Sequence, residues 1–155
     1  MPTFAALQSQ AMPEGFQLIG REQGIPAGEF WGSQEQIAIR YRQPRKMWGL
    51  GSEITICWAP QRNITLTGTT NRVGTPVTVN GLTGTYHDGM WMPGPGPDEV
   101  RFEPNGIAHW GRDLVHSITL TTPDGVYGLR APRTIVAHPD GLVSIMSSVQ
   151  VLGPA

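Results

Sequence analysis

The sequence predicts a mainly β fold of the α+β kind: a curved antiparallel sheet of about eight strands with one short C-terminal helix packed on it. Three observations carry this expectation. From Phe16 onward apolar residues recur with period two, the mark of half-buried strands. Asn-Gly and Pro-Asp-Gly signals fall between the alternating segments, where hairpins need them. Only after Pro139 does the apolar period lengthen to that of a helix.

Residues 1–12 hold Phe4 and Leu7 at helical spacing but few other apolar groups, so they read as an N-terminal extension, either a short helix or a mobile arm. Residues 13–155 read as a single β-rich domain. Within it Phe16 and Leu18 with Ile19, then Ile37, Ile39 and Tyr41, then Ile54, Ile56 and Trp58, then Ile64 and Leu66 mark successive strands. Val77 to Val79, Asn80-Gly81 and Leu82 to Tyr86 form a hairpin pattern, because Asn-Gly supplies the two positive-φ positions of a type I′ turn. Val100 and Phe102 turn through Pro104-Asn105-Gly106 into Ile107 to Trp110, and Ile118 and Leu120 turn through Pro123-Asp124-Gly125 into Val126 to Leu129. Pro93-Gly94-Pro95-Gly96-Pro97 is a surface loop, since its prolines lack N–H donors. After Pro139, Asp140 is placed as N-cap of a helix that carries Leu142, Val143, Ile145, Met146 and Val149.

Composition excludes several functions. A chain of 155 residues can bury one core without staples, and 20 Gly and 14 Pro beside a charged fraction of only 15% suit sheets and turns. The net charge of −1 offers no field of one sign to hold a nucleic acid. Arg40, Arg42, Arg45 and Lys46 form the densest basic stretch and are expected on a solvated edge or turn. Cys57 is the one cysteine, so no intrachain disulfide forms; its place in an alternating strand reads as a packed thiol. No apolar run reaches the roughly 20 residues that span a bilayer as a helix.

The order Ile37–Tyr41, Glu53–Cys57, Val77-Thr78-Val79-Asn80-Gly81-Leu82-Thr83-Gly84-Thr85-Tyr86, Val126–Leu129 and a closing helix ending Ser147-Ser148-Val149 resembles an uncharacterised bacterial domain of anti-sigma-factor-like proteins and lipoproteins, itself similar to the lipoprotein-carrier fold. The resemblance covers about three quarters of the chain, with Met90 to Asp98 as an insertion. It implies a non-enzymatic sensing or binding module outside the cytoplasm, any signal or anchor lying beyond these residues, with a sheet wrapped around a helix. It implies no catalytic residues.

The residues themselves agree on the absence of familiar catalytic motifs: Gly-x-Ser-x-Gly, His-Glu-x-x-His, the P-loop and the dinucleotide glycine fingerprint do not occur. In His87-Asp88-Gly89-Met90-Trp91-Met92 an imidazole and two thioethers could face a soft ion. Methionines packed beside Trp91 explain the same residues, so no metal is assigned and His87, Met90 and Met92 stand only as candidates. His109 and His116 could join His87 if their strands are neighbours. Trp31, Trp48, Trp91 and Trp110 lie among glycines, prolines and strand ends, where exposed rings would bind a ligand or partner. The expected function is therefore a non-enzymatic module for a small apolar ligand or protein partner, without cofactor, in which sheet and helix enclose an apolar groove edged by tryptophans. Two alternatives remain: a structural subunit that donates its N-terminal arm to a neighbour, as in a homo-oligomer, and a histidine-dependent metal enzyme.

Overall fold

The computed structural model describes residues 2–23, 37–44, 52–60, 69, 72–102 and 106–152. Among them the fold is mostly β. The elements are α1 (Phe4–Leu7), β1 (Gln17–Gln23), β2 (Ile37–Arg42), β3 (Glu53–Ala59), β4 (Thr75–Val79), β5 (Leu82–His87), β6 (Met90–Pro93), β7 (Val100–Phe102), β8 (Gly106–Gly111), β9 (Val115–Thr122), β10 (Gly125–Pro132), α2 (Pro139–Ser147) and a 3₁₀ turn at Gln150–Leu152. Seven strands form one sheet in the order β1-β2-β3-β10-β9-β5-β4, and β6-β8-β7 form a second. Every strand pairing is antiparallel. In place of the expected single sheet of about eight strands, the described residues form ten strands in two sheets, with β6 at an edge of the smaller one.

The hairpins follow from turn chemistry. Asn80 and Gly81 take φ of 49° and 81°, the two positive values that a type I′ turn demands. Between Leu18 and Gly20 the register of β1 against β2 shifts. Leu18 packs against the main core while Ile19, the extra residue at the bulge, is exposed.

Period-two alternation gives the large sheet two different faces. Ile37, Ile39, Ile54, Ile56, Trp58, Ile118, Leu120, Tyr127 and Leu129 share one apolar cluster with Leu142, Ile145 and Met146 of α2 and with Leu7. The opposite face carries Ala38, Cys57, Ala59 and Val126, so Cys57 is a packed thiol, and burial pushes it up to about 12. Arg40 corrects an expectation. Instead of lying on a solvated edge, it is half-buried on this face, with Nε 2.8 Å from Glu22 and Nη1 3.5 Å from Glu53. Arg45 and Lys46 lie outside the described residues.

The N-terminal segment is a short helix docked on its own chain. Leu7 is fully buried in the main core. Ser9 bridges to Val149, its N–H donates to the Tyr41 hydroxyl at 3.3 Å, and its Oγ donates to the Ile145 carbonyl at 2.8 Å and bonds Ser148 Oγ. Helix α2 begins two residues earlier than expected. His138 is its N-cap, Pro139 opens it and Asp140 sits in the first turn. The reason is that proline has no N–H to leave unpaired and its φ suits the first helical position. At the far end Asn80 Nδ2 donates to the carbonyls of Ser147 at 2.9 Å and Leu152 at 2.6 Å. The hairpin turn thereby satisfies carbonyls that the helix end leaves open. Asn80→Gly keeps the turn but loses both bonds, and chemical denaturation should show a loss of about 1–2 kcal/mol.

Candidate functional site

Of the tryptophans expected to form a binding surface, Trp31 and Trp48 lie outside the described residues. The structure brings Trp91 and Trp110 together: they are direct partners in the β6–β8 register, with ring centroids 5.2 Å apart in an edge-to-face arrangement. Their exposures are 3% and 4%, so the expectation of exposed rings is corrected for both. The pair, with Ala108, forms a separate small core. Such T-shaped packing is favourable because the positive edge of one ring meets the negative face of the other.

Charged groups seal this core. Arg72 places its guanidinium 4.6 Å from the Trp110 ring centroid and 5.9 Å from that of Trp91, and it reaches Asp98 at 3.6 Å. Trp110 Nε1 donates to Asp88 Oδ1 at 2.9 Å while Arg112 Nε donates to Oδ2 at 3.0 Å. Burial disfavours the charged Asp88 carboxylate, but these two hydrogen bonds and the Arg112 charge outweigh it and hold Asp88 below the usual carboxylate range. Arg133 Nη1 donates to the Asp88 carbonyl at 2.6 Å. The aromatic pair is therefore a small buried core of its own, with a cation over its rings, and its rings leave almost no surface open to a ligand.

The histidines do not gather. No group of three His, Cys, Asp or Glu residues suited to a metal occurs among the described residues. His87 is buried, with Nε2 2.8 Å from the Arg72 carbonyl and its ring 6.1 Å from that of Trp110. This puts it on the tryptophan side, whereas Met90 and Met92 project from the other side of β6. His116 is fully buried, its Nδ1 hydrogen bonded to the Tyr86 hydroxyl at 2.9 Å. Its Nε2 has no hydrogen-bond partner among the described residues. Burial, supported by the charges of Arg133 and His138, outweighs the favourable Val136 backbone and pushes His116 down to about 4.

An open site lies elsewhere. A groove of about 440 Å³ is bounded by the N-terminal segment at Ala11 and Pro13, by the connection from β10 to α2 at Ile135 and Val136, and by α2 at Gly141 and Ile145. Gly141 is needed for its shape, since a Cβ there would stand 2.7 Å from Val136 Cγ1. His138, Asp140 and Ser144 also border the groove. No side-chain hydrogen bond joins these three among the described residues. Among the described residues no tryptophan lines the groove. Sequence reasoning missed this site; its one local signal is the apolar pair Ile135-Val136 in a connection flanked by Pro132 and Pro139. No family model, no curated protein and no solved structure matches the chain.

Proposed function

We propose that this chain is a non-enzymatic, sensor-type binding module whose site is the groove beside α2 and whose ligand is small and apolar. The observation that carries the reading is the groove itself, about 440 Å³ with walls from Ala11, Pro13, Ile135, Val136 and Ile145. Ligand pockets typically enclose roughly 300–1,000 Å³ behind mostly apolar walls with a few polar groups at fixed places. His138, Asp140 and Ser144 supply such polar groups here. A stable protein partner would instead require about 800 Å² from each surface, so the small ligand is favoured. An extracytoplasmic setting belongs to the proposal and rests on the resemblance alone.

The test is a fluorescence titration with N-phenyl-1-naphthylamine, a neutral apolar dye that brightens on leaving water. Saturable binding at one site is expected. Ile135 is 36% exposed at the groove, so Ile135→Glu should weaken dye binding about tenfold by removing apolar contact area. The melting temperature should stay nearly constant. Dye binding that never saturates, or that Ile135→Glu leaves unchanged, would remove the groove from consideration.

A further inference from the structure

The face of the small sheet opposite the tryptophan pair carries donors that the pair does not use. In the β6–β8 register Met90 lies opposite Gly111 and Met92 lies opposite His109. Direct antiparallel partners project to the same side, and residues two apart on one strand share that side. Met90, Met92 and His109 therefore share one face, while Trp91 and Trp110 share the other. We infer that these three side chains form a binding site for a soft monovalent cation of the Cu(I) and Ag(I) class.

Two further features support the site. A Cβ on Gly111 would lie 2.7 Å from Met92 Cγ, so the Met92 side chain crosses the space above Gly111, the residue that faces Met90. The missing side chain is what lets the second thioether lean toward the first. His109 Nδ1 is 3.0 Å from the Gly94 carbonyl. A carbonyl can only accept, so Nδ1 carries the proton and Nε2 keeps a lone pair for a metal. Ligating histidines are commonly fixed in this manner by a backbone carbonyl. The loop holds the ring from one side as well, since a Cβ on Gly96 would lie 2.8 Å from His109 Cγ.

The donor set selects the ion. Two thioethers and a neutral imidazole are soft ligands that bring no negative charge. They offer little to a divalent ion such as Zn²⁺, which takes thiolates, imidazoles and carboxylates, but suit a polarisable univalent one. Met90 is buried whereas Met92 and His109 are half-buried, so the ion would enter from the solvent side.

Ag(I) in chloride-free buffer is a redox-inert probe, added to the full chain in a Cys57→Ala background so that the buried thiol does not compete. One equivalent should bind, moving the ε-methyl resonances of Met90 and Met92 and the ring signals of His109 while leaving buried Met146 in place. Met92→Leu and His109→Ala should each weaken binding about tenfold or more. The inference is overturned by absence of saturable uptake, by uptake that leaves the Met90 and Met92 methyls unmoved, or by both substitutions changing affinity less than about twofold. Because Met92→Leu conserves volume, it separates loss of a ligand from loss of the fold.

Discussion

Leu7→Ala should lower the free energy of unfolding by about 2–5 kcal/mol, a loss that denaturant titration would read. The magnitude follows from its place. Leu7 has no exposed surface and packs in the same cluster as Ile37, Tyr41, Leu142 and Val149. Truncation there leaves a cavity between the N-terminal helix, the sheet and α2 that none of these can fill without moving. Four residues of helix have little stability of their own, so the apolar side chain anchors the segment and the helix does not. Beyond Leu7, Ser9 ties the segment to Tyr41, Ile145 and Ser148. Removing residues 2–12 should therefore destabilise the isolated monomer, an effect visible by calorimetry at any protein concentration. A detachable arm that served only to link neighbours would change the assembly state and leave monomer stability as it was. A Leu7→Ala loss below about 1 kcal/mol, within the range of ordinary surface substitutions, would contradict the docked arrangement.

The same segment marks where the sequence is legible. Phe4 and Leu7 stand at helical spacing, and a local rule reads them correctly. Their partners across β2 and the C-terminal turn are set by the fold's long-range closure, which no local pattern encodes. The β4–β5 hairpin was legible in full because Asn80-Gly81 satisfies the turn chemically, whatever lies around it. Asn80's second role, capping carbonyls of Ser147 and Leu152, was not, because those residues are distant in sequence. Trp91 and Trp110 were misjudged for a related reason. Their Gly and Pro neighbours suggest loops, but β6 pairs directly with β8, which follows β7 in sequence, and that pairing closes one ring against the other. The groove joins three segments that meet only in the folded chain, so composition and period were silent about it.

Acid destabilisation below neutral pH is the second large effect, and His116 is its source. The group is fully buried and held neutral, its pKa pushed down to about 4, against about 6.5 for an unfolded histidine. A depressed histidine pKa favours the uncharged native form, so its contribution is complete above about pH 6.5. As pH falls the unfolded chain takes up a proton that the native chain refuses, and the contribution disappears progressively down to about pH 4. At 1.36 kcal/mol per pH unit the loss amounts to about 3 kcal/mol. The Val136 backbone is the one group that favours the proton, and burial outweighs it. Tyr86 occupies Nδ1 at 2.9 Å, Nε2 lacks a partner among the described residues, and the nearby charges of Arg133 and His138 repel a proton. Asp88 and Asp124 are both held below the ordinary carboxylate range, so their linked losses come at lower pH and leave this window to the histidine. Denaturant unfolding at closely spaced pH values from about 7 to 4 should show stability falling in the wild type. The His116→Gln variant, less stable at neutral pH for want of the imidazole's packing, should show a markedly flatter profile. Parallel profiles would mean that another group governs the acid limb and that His116 takes up its proton without opening the core.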